Sequence, residues 1–421
     1  MELLRTVAPI SQHYAARGAE LSFNSLSRKT SVKVISDIEE LFEYSAELED
    51  LAKDLAVQNV SYEPWILCPI LKASAGNRTF VFLLIFDSVS DCKSRLIGFF
   101  PFERVMIHPL IPLSCLRLWA DPFNYLNARC DPLVRRGHDY CIEVLLDWFS
   151  QERGRADLIN LRGLTDGTSI VRSLKANLSS KKRLEYIEST IESHLYRRHV
   201  SAESYINAVL SKKSQQTLRR YERRLRDLGI VQYADVDECS DIERIIDEFI
   251  DLEDQGWKGR QGVSISAYGH REWVKRLLLD AYRRQRLSLL TMRVDGKLIA
   301  ARCVLLAKPG SFLFKLTYNE GEIYAKRSPG LLLEFEAIHR MHSDRTALGK
   351  EIDWLDTCSS PHSPIFSRSR SEGLKVRRFI VTKSGSLASL AIAMSPAIAS
   401  AGQVMNSCTK WVQRGMKALT S

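Results

Sequence analysis

The sequence predicts a mixed α/β protein, α+β in character, made of two tandem copies of one unit, each a mixed, mostly antiparallel sheet flanked by helices. Three observations lead there. Apolar residues recur at helical spacing in some segments and alternate in others. The order strand, helix, helix, strands, helix, strand occurs twice. DIEELFEYSAELEDL near residue 37 is echoed by DIERIIDEFIDLEDQ near residue 241, a period far longer than the roughly 20–50 residues of a solenoid repeat.

Residues 1–30 are aperiodic and Ser-rich toward their end, so they read as a loosely ordered N-terminal arm. The first copy, residues 31–200, opens with the alternating strand SVKVI. A helix follows, with Ile38, Leu41, Phe42, Leu48 and Leu51 near helical spacing after an Asp37 cap. EPWILCPILKA continues as a second helix, and TFVFLLIFDS and SRLIGFFPFERV pair as a hairpin. DPLVRRGHDYCIEVLLDWFSQ is a helix, RADLINLRGL a strand and ESTIESHLYRR the closing strand.

The second copy, residues 201–385, begins with the basic helix SKKSQQTLRRYERRLRDLG, whose buried stripe is Leu218, Tyr221 and Leu225. IVQYADV is a strand. The next helix carries Ile242, Ile245, Ile246, Phe249 and Ile250 on one face, and HREWVKRLLLDAYRRQ is another. A meander of three strands follows, turning at Asp295-Gly296. SPGLLLEFEAIHRMHS is a helix, and EIDWLDT and VRRFIVTK are the last strands. Residues 386–421 read as a helical tail whose end, TKWVQRGMKAL, has Trp411, Val412 and Met416 for contact with a membrane surface or a partner helix.

The chain has 421 residues and 45% hydrophobic composition, enough for a core without metals or disulfides. Its nine cysteines are scattered and never spaced CxxC, which argues against a disulfide framework and a zinc site. No signal-like apolar region opens the chain and no apolar run is long enough to span a bilayer. A reducing cytoplasm is the expected compartment. The net charge of +10 suits a polyanion or a phosphate-bearing small ligand.

Lys326 and Arg327 stand directly before Ser328, Pro329 and Gly330, which open a helix. Cations at the positive end of a helix dipole make sense as partners of an anion held on the first-turn N–H groups, with Ser328 as N-cap and Pro329 at the first helical position. The alternative is a plain helix start with its cations in water. In WLDTCSSPHSP, Asp356, Cys358 and His362 follow a strand toward its C-terminal end, where ligands gather in α/β sheets, so Asp356 is a candidate to orient or deprotonate an amine. Lys315 and Tyr318 lie at the end of a meander strand. Glu253, Trp257 and Lys258 lie at a helix end and in the Gly-rich loop after it, a location suited to holding a substrate. His339 and His342 stand one helical turn apart without a Glu or Cys at ligand spacing, so no metal is expected. The cations of the basic helix fan over several faces, which favours a helix laced to acidic neighbours over one that reads RNA.

Taken in order, the basic helix, QGWKG at Gln255–Gly259, DGKLIAARCVL, SPGLLLEFEAI and WLDTCSSPHSP resemble the GNAT superfamily of acyl-CoA N-acyltransferases. The resemblance is to the tandem form shared with Fem-type peptidyltransferases, nearest to the CelD-like branch associated with cellulose and exopolysaccharide biosynthesis. It spans about residues 200–385, with a weaker echo over 30–200. It implies acetyl-CoA or another acyl-CoA as co-substrate, lodged in a V-shaped gap between central strands, its pyrophosphate on the turn from Lys326 to Gly330, where the family's second glycine is absent. It further implies direct attack by an amine, with Tyr318 protonating the leaving thiolate and Asp356 or a water taking the amine proton. The expected function is therefore N-acyl transfer to a small-molecule or glycan amine, with Glu253, Trp257, Lys258, Lys315, Cys358 and His362 around the acceptor. Aminoacyl-tRNA-dependent Fem-type transfer is one alternative, with tRNA as the lesser partner expectation. A non-catalytic scaffold for a polysaccharide synthase is the other.

Overall fold

The computed structural model describes residues 21–25, 28–88, 94–108, 111–123, 125–126, 129–151, 156–181, 184–236, 241–343, 351–358 and 372–393. The first half supplies strands β1 (Leu21–Ser25), β2 (Arg28–Ile35), β3 (Thr79–Ser88), β4 (Ser94–His108), β5 (Ile111–Leu118), β6 (Leu133–Val134), β7 (Leu158–Thr165) and β8 (Leu184–Arg197). Its helices are α1 (Ile38–Phe42), α2 (Ser45–Ala52), α3 (Pro64–Ser74), α4 (Cys141–Ser150) and α5 (Ser169–Ser180). The second half begins with α6 (Ala202–Val209) and α7 (Lys212–Arg226). It continues with β9 (Val231–Ala234), α8 (Ile242–Gln255), α9 (Trp257–Arg260), α10 (Arg271–Arg283), β10 (Leu287–Val294), β11 (Lys297–Ala307) and β12 (Gly310–Tyr318). Then come α11 (Glu322–Ala325), α12 (Pro329–Met341), β13 (Trp354–Asp356), β14 (Glu372–Lys383) and α13 (Leu387–Ala393).

The periodic segments fold as their patterns dictate. α8 buries Ile245, Ile246, Phe249 and Ile250, and its Asp241 cap accepts from the Arg244 N–H. Asp295 and Gly296 both have positive φ, the hallmark of the two-residue hairpin turn between β10 and β11. The helix expected after Asp37 is instead two, α1 and α2. The Ser45 hydroxyl donates to the Phe42 carbonyl at 2.7 Å and competes with the helical ladder, while Leu41, Leu48 and Leu51 still reach the core.

The strands join one continuous sheet in the order β1-β2-β3-β4-β5-β7-β14-β8-β13-β12-β11-β10-β9, with β6 on β4. The two halves exchange their closing strands. β14, from the end of the chain, pairs with β7 of the first half, and β8, from the first half, pairs with β13 of the second. β8 and β14 run antiparallel to each other over twelve residue pairs, from Glu372↔Leu195 to Lys383↔Leu184. The chain therefore cannot be separated near residue 200 without breaking this sheet.

Each half contains a parallel pair that is joined only briefly. β5 and β7 pair over three positions, ending at Arg117↔Asn160. β12 and β13 pair over Gly310↔Trp354, Ser311↔Leu355 and Phe312↔Asp356. Gly310 is required there, because a Cβ would lie 2.1 Å from the Trp354 ring. Beyond Phe312, β12 runs on to Tyr318 while β13 stops, so the sheet opens. A bulge at Phe314, where Cys303 pairs with Lys315 and Val304 with Leu313, adds one residue at that opening.

In the first half, the chain fills its own opening. The Cys130 N–H donates to the Gly163 carbonyl at 2.8 Å, and Asp131, fully buried, accepts from the Thr165 N–H and hydroxyl at 2.8 and 2.6 Å.

Candidate functional site

The opening of the second half has two faces. α12 and α7 pack on one. α8 and α10 cover the other, together with the loop between β5 and α4 that arrives from the first half.

On the α12 face, Tyr318 is half-buried and packs on the start of α12, where a Cβ at Gly330 would come within 2.6 Å of its ring. Burial and Glu320 push the Tyr318 phenol up, so it keeps its proton at neutral pH. Ser328 does not cap in the expected way. It adopts a left-handed conformation (φ 46°) and makes no side-chain cap bond; its carbonyl instead accepts from the Leu331 and Leu332 N–H groups at 3.0 and 3.2 Å. Pro329 occupies the first helical turn as expected. Lys326 is exposed and paired with Glu322 at 2.5 Å. The Arg327 guanidinium donates to the Arg224 carbonyl at 2.7 Å and to the Ile323 carbonyl, tying the turn to the last turn of α7. A cation at a helix C-terminus is electrostatically at home, so the arginine braces the turn.

The α8 face holds a buried charge cluster. Glu253, at 1% exposure, receives Lys258 at 3.1 Å and Lys315 at 3.5 Å on the same oxygen, Oε1. Its Oε2 accepts the Ile265 N–H at 2.8 Å. One carboxylate oxygen thus serves two ammonium groups. Burial, and secondarily the neighbouring Lys258, lower the Lys315 pKa from 10.5 to about 8, against the opposing pull of Glu253 and Asp121. Trp257 is exposed, with its backbone N–H on Glu320 Oε1 at 3.2 Å. Alongside lies a cavity of about 290 Å³ bounded by Leu252, Gln255, Gly256, Tyr318, Asn319 and Glu320.

The first half completes this face with residues that the sequence reading missed. Asp121, buried, accepts from the N–H groups of Phe123, Tyr125 and Leu126 and so fixes the loop. Tyr125 then stacks on Phe314 with ring centroids 5.3 Å apart, lies 4.7 Å from Lys315 Nζ, and shares a 2.9 Å hydrogen bond with His270 Nδ1. Burial lowers the His270 pKa. Asp-Pro-Phe at 121–123 is an Asx-turn signal, yet nothing local says that the turn reaches another domain.

Asp356 is where the sequence placed it, at the end of β13, and both of its oxygens are engaged. It is fully buried, with Oδ2 on Arg129 Nε at 2.6 Å and Oδ1 on the Cys358 N–H at 2.8 Å. The Arg129 guanidinium also lies 4.5 Å from the Trp354 ring. Oδ2 therefore joins the halves, and Oδ1 holds the turn that follows β13. Burial, reinforced by Asp356, holds the Cys358 thiol well above its ordinary range, which makes it a poor nucleophile. His362 lies outside the described residues. His342 is bound on both ring nitrogens, to the Ile338 carbonyl at 2.8 Å and the His199 N–H at 3.0 Å.

The basic helix also departs from expectation. Lys212, Lys213, Arg219, Arg220, Arg223, Arg224 and Arg226 are all exposed. Among the described residues, the ion pairing of their side chains is confined to Arg226 with Glu222 at 2.8 Å.

Residues 212–354 match the family model of the acetyltransferase (GNAT) domain. No curated protein sequence matches the chain. Similar solved structures include a conserved protein of unknown function from Bacteroides thetaiotaomicron, at 12% identity over 80% of this chain and 97% of that one, with a TM-score of 0.49. FemX is 11% identical over 79% and 95% of the two chains, with a TM-score of 0.47. A tandem GNAT protein from the clavulanic acid biosynthesis pathway is 10% identical over 84% and 99%, with a TM-score of 0.37. The matched residues 212–354 run from α7 to β13 and so include the opened strand pair β12–β13 and the turn before α12.

Proposed function

We propose that the chain transfers an acyl group from acetyl-CoA, or a related acyl-CoA, to an amine, at the opening between β12 and β13. The observation that carries this reading is the coincidence of three features within the matched segment: the brief parallel pairing, the Phe314 bulge and the Tyr318–Gly330 contact at the start of α12. The fit of an acyl-CoA is favourable. The opening offers a slot, and the start of α12 leaves the Gly330 N–H for phosphate, since Pro329 has no N–H and those of Leu331 and Leu332 are held by the Ser328 carbonyl. Gly330 keeps the approach free of a side chain. When bound, the thioester supplies the activated acyl group.

The protein's own groups divide the remaining work between the two faces. Backbone N–H groups at the bulge lie where a carbonyl oxygen would be polarised. The protonated Tyr318 stands on the α12 side and serves as proton donor to a leaving group. Lys315 stands on the α8 side with a pKa near working pH, and it takes the proton of the incoming amine. Lys315 is assigned that role in place of Asp356, whose two oxygens are engaged by Arg129 and the Cys358 N–H. Tyr125 and His270 wall the acceptor side. The acceptor is an amine of polysaccharide or cell-envelope synthesis, and the setting is the cytoplasm. Among the described residues no helix is long and apolar enough to cross a membrane.

Thiol release from acetyl-CoA in the presence of a panel of amino acids, amino sugars and polyamines tests the reading. Acceptor-dependent release, lowered by about a hundredfold in Lys315→Met, is the expected result. Release that no amine stimulates removes it.

A further inference from the structure

The α7 cations do not belong to the site described above, and among the described residues their ion pairing is confined to Arg226 with Glu222. On a helical projection, Lys212, Gln216, Arg219, Arg220, Arg223 and Arg226 share the exposed side, opposite the buried Leu218 and Leu225. Against them stand Glu222, engaged by Arg226, and Asp227. This charged side ends in an apolar projection. Ile230, which follows α7, is 71% exposed, and Ile323 on α11 is 61% exposed. Both belong to the same corner of the molecule. The Arg327 side chain bridges the Arg224 carbonyl of α7 and the Ile323 carbonyl, and the Ile230 N–H is held by Asp295 at the β10–β11 turn. Lys297 of that turn lies 5.9 Å from the ring of Tyr324, the residue after Ile323. Lys297, Lys326 and Arg327 extend the positive surface, with Asp295 and Glu322 as its local carboxylates.

We infer that this face docks on an anionic phospholipid surface, with the α7 cations over the headgroups and Ile230 and Ile323 entering the interface. Charge complementarity favours any polyanion, and the two protruding isoleucines select among them. Aliphatic side chains gain free energy on leaving water for the acyl boundary and gain nothing on a phosphodiester backbone. The one aromatic residue on α7, Tyr221, is half-buried with Arg220 at 5.8 Å from its ring, so the helix offers no platform on which unpaired bases would stack.

The full-length chain, sedimented with vesicles of phosphatidylcholine and with vesicles containing about one third phosphatidylglycerol, tests this directly. Binding is expected to the anionic vesicles alone and to fall steeply with salt. Combined Arg219→Glu, Arg220→Glu and Arg223→Glu should lower the partition coefficient by about a hundredfold or more, as expected for the loss of several surface cations. Ile230→Asp with Ile323→Asp should lower it while leaving the charge of α7 intact. All five positions are exposed, so unchanged thermal unfolding verifies the fold of each variant, and the salt series on the unmodified protein needs no variant. Absence of binding to anionic vesicles overturns the inference, and so does binding that either variant leaves unchanged. Salt-steep retention of tRNA, lost in the arginine variant while vesicles are ignored, reassigns the face to nucleic acid. The acetyl-CoA assay is independent of every one of these outcomes.

Discussion

Replacing Lys315 with methionine removes an ammonium group that the fold holds at 8% exposure beside a second lysine. The lysine pKa falls from 10.5 to about 8 in the folded chain, a gap worth about 3 kcal/mol at 1.36 kcal/mol per unit. The sign follows from proton counting. Between the two pKa values the unfolded chain binds the proton and the folded chain does not, so stability rises with pH across that window. The full penalty is present below about pH 8 and is recovered as pH approaches 10.5. Methionine fills a similar volume without charge, so the difference in unfolding free energy between the two proteins isolates this residue from all other titrations. That difference should shift by about 2 kcal/mol in favour of the unmodified protein between about pH 7 and about pH 9.5. Urea unfolding followed by circular dichroism at both pH values, with matched denaturant slopes, provides the measurement. A difference that stays constant with pH refutes the reasoning. It would mean that Glu253 fully compensates the buried ammonium and that Lys315 is not poised to accept a proton.

Three further outcomes follow from the same geometry. Asp356→Asn strands the buried Arg129 charge and should cost about 3–5 kcal/mol, whereas Arg129→Met combined with Asp356→Leu should restore most of that loss; urea unfolding of the single and double variants checks it. Gly330→Ala forces a Cβ to within 2.6 Å of the Tyr318 ring and should weaken acetyl-CoA binding about tenfold or more, with Tyr318→Ala in the same chain relieving the clash; calorimetry reads both. With Lys315 as proton acceptor, kcat/KM should rise about fivefold from about pH 7 to about pH 8 and level off above, following the neutral fraction of the amine; a stopped-assay pH series shows whether it does.

The parts of the fold set by local pattern were readable from the chain. α7, α8, α10 and α12 follow from the spacing of apolar residues, the β10–β11 hairpin from Asp295-Gly296, and the duplication from two similar helices. β5 was missed, because Pro112 interrupts a run that otherwise reads as a strand. α5 was missed as well, because Ser169–Ser180 has only Ile170, Val171, Leu174 and Leu178 to mark it. The strand exchange is a matter of pairing at long sequence separation, and the alternation within β8 or β14 is the same whichever neighbour it meets.

The site divides in the same way. Glu253, Lys258 and Lys315 were legible as polar residues at the ends of elements, and the fold brings them to one carboxylate oxygen. Asp356 was legible as a residue but not as a partner, since Arg129 lies 227 positions away. Asp121 and Tyr125 sit in a loop whose destination depends on how the two halves pack, so no local pattern marks them. For the α7 cations the periodic reading underestimated how completely they share an exposed side, because it assumed acidic neighbours, of which the described residues supply Glu222 to Arg226.

Titration of acetyl-CoA into the full-length chain by calorimetry tests the central claim most directly. The geometry predicts saturable binding at one site per chain, in the half that carries the opened pair β12–β13, since the corresponding opening beside β7 is filled by Cys130 and Asp131. No saturable binding of acetyl-CoA or of a longer acyl-CoA would contradict it.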